Sequence, residues 1–287
     1  MKKSILERAL DPHELSVRFQ PIVQIQGTER RLDSVEALIR GPRGTHFERA
    51  DILFDYVRRK KAEAAVDQSC LTAICAAAQH LPSEVRINVN VHASTLGHNS
   101  SFVEFFHRHL REQSLAPERF TIELVEHAPS CHILELTTNI AVLREYGVRI
   151  ALDDVGLGQS NYRMMLDCHP DYFKLDAYFV RDLSADSKRR AVVRSLAALA
   201  EALDSAVVAE GATSADDLLQ LEEMGVPLAQ ANILCPALPL EDLLARGYMG
   251  VEAFDPSALK KSAKEQISAC QPSRKVLSLA VGQSFYT

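Results

Sequence analysis

Positive charge is in short supply in this chain. Thirty-two Lys and Arg stand against 38 Asp and Glu, for a net charge of −6. That balance excludes a broad basic surface for duplex nucleic acid. An anionic ligand must instead be held by local cations or metals, not by the global field. Cys-x-x-Cys spacing is also missing. The six cysteines (Cys70, Cys75, Cys131, Cys168, Cys235, Cys270) fall mostly in apolar helix or strand patterns, as buried reduced thiols of a cytosolic protein do. No apolar run follows Lys2 and Lys3, so no signal peptide is expected, and no segment is long enough to span a bilayer. A cytoplasmic protein without a membrane role is the resulting expectation. Linkers, low-complexity runs and internal repeats are absent too. Gly156-x-Gly158 lacks the third glycine and the downstream lysine of nucleotide-binding loops. His107 and His109, two apart on one helix, share no face for a metal. Arg58-Arg59-Lys60-Lys61 and Lys188-Arg189-Arg190 read as solvated helix faces. His92 and His127 lie near strand ends, where a satisfied structural histidine is the expectation.

What is present is a sizeable core: 47% of the 287 residues are hydrophobic. A leading helix is read at 4–15. Two closely spaced strands, Val17–Ile25 and Leu32–Ile39, suggest an antiparallel pair, with Pro21 marking an edge or an irregularity. Strands then alternate with helices. Further strands are read at Val85–Val91, Phe120–Val125, Val148–Asp153, Tyr172–Leu175, Ala206–Ala209 and Leu228–Leu234. Helices are read at 50–60, 62–80, 102–113, 133–146, 162–168, 187–203 and 215–224, with a last one starting near Leu240. Ser184 and Ser214 supply helix-start chemistry. Repeated βα units of this length favour a (β/α)8 barrel or a doubly wound sheet. Residues 1–249 form the expected domain, and 250–287 an extension without an assigned role.

Arg149–Asn161 is the stretch around which the rest is organised. A buried strand runs into the adjacent carboxylates Asp153 and Asp154 and a glycine-punctuated loop. Two such carboxylates repel in a low-dielectric site unless a cation or a shared proton offsets them. A helix cap followed by a turn is the competing reading. Other strands end similarly, in Glu36, Asn90, Glu123 with Glu126, Lys174, Glu210 and Gln230. In a barrel these would meet at one mouth. Hard oxygen donors of this kind select Mg2+, Mn2+ or Ca2+, and two ions suit displacement at phosphorus. Glu36, Leu38 and Arg40 alternate, so all three are expected to line one pocket wall. A surface arginine is the alternative for Arg40.

The ordered motifs resemble EAL-domain cyclic di-GMP phosphodiesterases. Glu36-Ala37-Leu38 with Arg40 resembles the naming signature, and Phe19-Gln20-Pro21-Ile22 the opening Q-P-I strand. Asn90-Val91-His92 stands for N-[LV]-S, Glu123-Leu124-Val125-Glu126 for E-L-T-E, and Asp153-Asp154-Val155-Gly156-Leu157-Gly158 for D-D-F-G-T-G. Lys174-Leu175-Asp176 stands for K-I-D, Ala209-Glu210-Gly211 for the start of A-E-G-V-E-T, and Gln230 for the glutamine of Q-G-Y. The likeness covers nearly all of 15–245.

The resemblance implies a modified TIM barrel with an antiparallel early strand. It implies that Glu36, Asn90, Glu123 and Asp153 bind one metal, and Asp153 and Asp154 a second. Lys174 would hold the attacking water or the phosphate, Glu210 would act as general base, and Glu126 would brace the glycine loop. Gln20, Leu38, Arg40 and Gln230 would contact cyclic di-GMP. The implied reaction yields linear pGpG with Mg2+ or Mn2+, with Ca2+ inhibitory, in a homodimer. Val155 for Phe, Leu157 for Thr, Ala212-Thr213-Ser214 for V-E-T and Ala231-Asn232 for G-Y depart from the pattern. These changes give an expectation of a looser loop and slow turnover. They also keep open a non-catalytic cyclic di-GMP receptor acting through an unknown protein partner. Without the resemblance, an enolase-type proton abstraction would also suit carboxylates and a lysine.

Overall fold

Apolar residues at alternate strand positions give these segments one face for helices and one for a barrel interior. The structure, a computed structural model, describes residues 3–27, 30–98, 101–125, 132–157 and 161–246. Glu126, His127, Cys131, Gly158, Cys270 and the expected extension lie outside the described residues. Strands β1 (Ser16–Gln24), β2 (Arg31–Arg40), β3 (Arg86–His92), β4 (Phe120–Val125), β5 (Arg149–Val155), β6 (Tyr172–Leu175), β7 (Ala206–Glu210) and β8 (Leu228–Gln230) close into a barrel in sequence order. This decides between the two architectures in favour of the barrel. β1 is antiparallel to both neighbours, and every other pair is parallel.

Pro21 sits beside the register shift at Ile22/Val23, where β1 departs from regular pairing. Proline cannot donate to a ladder, so a local irregularity accommodates it. β1 meets β8 over Val23↔Ala229 and Gln24↔Leu228. Farther up, Phe19 exchanges backbone hydrogen bonds with Leu238 at 2.7 and 3.0 Å, an isolated antiparallel bridge on the same side of β1.

The helices follow the sequence pattern: α1 (Ile5–Ala9), α2 (Ala50–Arg59), α3 (Glu63–Ala78), α4 (Ala93–His98), α5 (Ser101–Glu112), α6 (Ile133–Glu145), α7 (Asn161–Cys168), α8 (Ala177–Val180), α9 (Ser187–Ala202), α10 (Ala215–Glu223) and α11 (Leu240–Ala245). The leading helix is shorter than expected. Pro12 interrupts it and starts a separate 3-10 turn that Asp11 caps. Helices α4 and α8 were not anticipated, because six and four residues are too short to show a helical period. Ser214 does cap α10, through a reciprocal box with Asp217. The cap of α9 is Asp186 rather than Ser184, whose N–H goes to Asp217 at 3.0 Å.

Helix packing buries the outward strand residues, such as Phe120, Ile122 and Leu124, in one continuous core. Ile22, Val208 and Leu228 form a separate apolar cluster with Tyr172 against them. Cys70, Cys75, Cys168 and Cys235 are buried thiols. His107 stacks on Tyr146 and His109 on Phe105, so both serve packing. Among the described residues no helix is long and apolar enough to cross a membrane.

Candidate active site

Strand register brings the polar strand ends together. β1–β2 pairing sets Gln20 opposite Glu36, β2–β3 sets Glu36 beside Asn88, β3–β4 sets Asn90 beside Glu123, and β7–β8 sets Glu210 beside Gln230. At the centre lies the Lys174 ammonium, fully buried on β6. Its Nζ is 2.6 Å from Glu123 Oε2, 2.7 Å from Glu210 Oε1, 3.1 Å from Glu36 Oε2 and 3.5 Å from Asp153 Oδ1. Four carboxylates from four strands therefore share one cation. A buried ammonium is strongly disfavoured unless opposite charges offset desolvation. Here burial works against the charge of Lys174, but Asp153, Glu123, Glu210 and Glu36 outweigh it and hold its pKa well above the usual value.

The carboxylates are not equivalent. Burial opposes the charge of Glu36, yet Lys174 and the amides of Gln230 and Asn90 keep its pKa below the ordinary value. Gln230 Nε2 donates to Glu36 Oε2 at 2.6 Å, and Asn90 Nδ2 donates to Glu36 Oε1 at 2.7 Å. For Glu123, burial and repulsion by Glu36 win, and its pKa rises well above normal. Glu210 is pushed up to about 7, chiefly by burial, with Asp153 and Glu36 adding to it against Lys174.

A cavity of about 430 Å3 opens above this cluster, lined by Gln20, Glu36, Leu38, Asp153, Lys174, Glu210 and Gln230 among others. Gln20 is held in turn. Its Nε2 lies 3.2 Å from both Asn232 Oδ1 and Cys235 O, and Gln230 Nε2 donates to its Oε1 at 3.2 Å. Arg40 does not share this cavity, contrary to the expectation of one wall. It lies four residue steps along β2 from Glu36, roughly 13 Å, and it lines a second cavity at the rim. Its Nη1 donates to Ile39 O at 3.0 Å.

Asp153 and Asp154 sit at an irregularity. β5–β6 register shifts between Leu152 and Val155, and Asp154 takes a positive φ of 51°. Such a bulge breaks the alternation that would otherwise send successive side chains to opposite faces. Asp153 lines the mouth, and Asp154 is half-buried outside the lining set. Gly156 follows at φ 102°, and a Cβ there would lie 2.5 Å from Phe179. Val155 is fully packed, whereas Leu157 is 54% exposed.

Two contributors escaped the sequence reading. Asn88 Nδ2 donates to Glu123 Oε1 at 2.7 Å inside the barrel. Its alternation with Asn90 is a usable signal, since i and i+2 share a face. Asp67, buried on α3, accepts from the His92 N–H at 3.1 Å and from the Thr95 hydroxyl at 2.5 Å, and lies 2.8 Å from His92 Nδ1. It thereby fixes the end of β3 just beyond Asn90. His92 is the satisfied structural histidine that was expected.

Among the described residues no three Asp, Glu, His or Cys side chains converge as around a bound ion, because Lys174 takes the centre. The donor set nonetheless fits hard divalent cations. It is all oxygen, it carries more negative charge than one lysine neutralises, and buried Asp153 Oδ1 lacks a hydrogen-bond partner. Burial first, and then that excess, keep Glu123 and Glu210 from ionising readily.

The EAL domain family model matches residues 3–237. The chain belongs to the EAL domain family. The cyclic di-GMP phosphodiesterase NbdA of Pseudomonas aeruginosa is 28% identical over 245 residues, which is 83% of this chain and 31% of that protein. The chain thus spans about a third of the length of that relative. Two structures of Klebsiella pneumoniae BlrP1 align at 25% identity and a TM-score of 0.69. The calcium/cyclic di-GMP complex covers 83% of this chain and 58% of that one, and the manganese complex 80% and 62%. The antiparallel β1 that the resemblance implied is present in this EAL barrel.

Proposed function

We propose that this EAL barrel is a metal-dependent phosphodiesterase that opens cyclic di-GMP to linear pGpG. The observation that carries it is the buried Lys174 ringed by Glu36, Glu123, Asp153 and Glu210 at the floor of an open cavity. NbdA is named a cyclic di-GMP phosphodiesterase, and BlrP1 binds the dinucleotide with calcium or with manganese. On this reading Glu36, Asn90, Glu123 and Asp153 hold one ion, and Asp153 with Asp154 a second. Bound Mg2+ or Mn2+ would neutralise charge on the phosphoryl oxygens and acidify a water. Lys174 orients the attacking water or the phosphate. Glu210, with a pKa near 7, accepts the proton of the nucleophile. Gln20, Leu38, Arg40 and Gln230 bind the substrate, and Glu126 braces the glycine loop. Residues 1–249 form the catalytic unit and 250–287 an extension. A homodimer in the cytoplasm belongs to the same reading.

Incubation with cyclic di-GMP and Mg2+ or Mn2+, with products resolved by chromatography, tests this directly. A linear dinucleotide is the expected product. Ca2+ accepts longer, looser oxygen geometry, so it should support binding in calorimetry without turnover. Intact ligand after incubation with either Mg2+ or Mn2+, at concentrations where binding is measured, would overturn the hydrolase.

A further inference from the structure

The second rim cavity has a chemistry opposite to the mouth. Its volume is about 730 Å3, and it lies where β1 begins and β2 ends. Arg18, Arg40, Arg43 and Arg49 line it with the hydroxyl residues Ser16 and Thr45. Three acids bear on this charge: Glu36 acts on Arg40 from the mouth, and two lie at the cavity itself. Asp51 pairs with Arg49 at 2.6 Å, and Glu48 lines the cavity and accepts the Gly44 N–H at 3.2 Å. The side chains of Arg18 and Arg43 have no hydrogen-bond or ion-pair partner among the described residues. Arg40 spends one N–H on a neighbouring carbonyl and has no carboxylate within ion-pair distance among the described residues.

Strand pairing fixes this convergence. Arg18 stands opposite Leu38, and Ser16 opposite Arg40, so the two arginines are diagonal neighbours on one face. Burial and the adjacent Arg18 charge depress the pKa of Arg40, and the more distant Glu36 only partly offsets them. Like charges held together this way are unfavourable in the free protein, all the more notable in a chain of net charge −6. Guanidiniums pair with phosphoryl oxygens through parallel N–H donors, and the Ser16 hydroxyl can add a further donor, whereas the Thr45 hydroxyl already donates to Pro42 O at 2.7 Å.

We propose that this arginine-lined cavity is a phosphoryl-anion site, with Arg18 and Arg43 as contributors alongside Arg40. Successive pairs Gln20–Glu36, Arg18–Leu38 and Ser16–Arg40 climb one face from the acidic mouth to the cavity. Two sources of the phosphoryl group fit that continuity. One is the second phosphodiester of the cyclic dinucleotide, which rests on the function proposed above. The other is a separate small phosphorylated molecule.

The test compares the full chain with the Arg18→Gln/Arg43→Gln double variant in two arms. In chelator, thermal unfolding is followed with inorganic pyrophosphate, so that metal-bridged binding at the acids is suppressed. The wild type should be stabilised and the double variant should not, while the ligand-free variant melts at or above the wild-type temperature because repulsion is relieved. With Mn2+ and cyclic di-GMP, a tenfold or larger rise in KM at unchanged kcat assigns the site to the substrate. An unchanged KM with a lost pyrophosphate response assigns it to a separate ligand. Identical behaviour of the two proteins in both arms overturns the site. If the wild type does not turn over cyclic di-GMP, the enzymatic reading fails, and the pyrophosphate arm alone decides the site.

Discussion

At Glu210 the balance of burial and neighbouring charge sets what the carboxylate can do. Its pKa near 7 leaves a base that is substantially ionised at neutral pH yet still a useful proton acceptor. Glu210→Gln preserves shape and can still accept the Lys174 hydrogen bond, but it removes the proton acceptor. We expect kcat to fall by ~10²–10⁴ with KM little changed, measured by steady-state kinetics in Mn2+. A raised KM at wild-type kcat would make Glu210 a binding residue instead. Asp67 has a different task at the same scale. Asp67→Ala would leave the His92 N–H and the Thr95 hydroxyl without their acceptor in the core. Each orphaned group costs ~1–3 kcal/mol, so urea unfolding should show a loss of at least that size. Metal affinity should weaken too, because the segment carrying Asn90 loses its anchor.

Strand β5 shows how an element can reinterpret a motif. Sequence comparison places Val155 in the glycine loop, as a small residue where the family has Phe. In the barrel Val155 is the last residue of β5, 1% exposed and paired with Leu175. A phenylalanine there must displace its neighbours, and overpacking costs ~1–3 kcal/mol. Leu157 is exposed, so Leu157→Thr should stay within about 0.5 kcal/mol. Denaturant titration of the two single variants checks this contrast. Equal effects would show that the β5 end is not packed as described. The loose loop expected from the motif is therefore not a matter of an empty space at Val155.

For the whole molecule, the acids gathered at the mouth make stability depend on pH and on metal. Glu210 has a pKa of about 7 against an ordinary 4.5, and Glu123 is also raised. Between those two values the folded state holds a proton that the unfolded chain has released. Stability in chelator should therefore fall as pH rises from about 4.5 to about 7 through Glu210, and this contribution levels off above that. Glu36 works the other way, since its depressed pKa contributes stability that is lost on acidification below the ordinary value. Glu210→Gln removes the first contribution, so its melting temperature in chelator should decline less across the pH 5–7 window than that of the wild type. Divalent cations, which bind the ionised acids of the folded state, should recover stability at the upper end. A variant whose pH profile overlays the wild type would remove Glu210 from the repulsive cluster.

Composition and period by themselves placed seven of the eight strands to within about two residues, because strand alternation and helix period are local consequences of backbone geometry. The eighth, read as Leu228–Leu234, ends at Gln230, where the backbone turns and the Leu234 and Cys235 N–H groups bond back to Ala231 O. The same locality made Glu36, Asn90, Glu123, Asp153, Lys174, Glu210 and Gln230 visible as strand-end polar residues. Local pattern could not choose between a closed barrel and an open sheet, since closure depends on β1 meeting β8, more than two hundred residues apart in sequence. Nor could it show that Lys174 sits between four acids, or that Glu36 and Glu123 respond to burial in opposite directions. Those outcomes depend on distances and desolvation that only packing creates. Asp67 was missed for that reason, because an isolated Asp in an apolar helix pattern gives no sign of its partner, while Asn88 carried a signal in its alternation with Asn90 but none of its bond to Glu123. Arg40 moved out of the acidic mouth because sharing a strand face does not mean sharing a cavity: each two-residue step carries the side chain roughly 7 Å along the strand. Sequence decided which side chains face the barrel axis, and tertiary structure decided which of them meet.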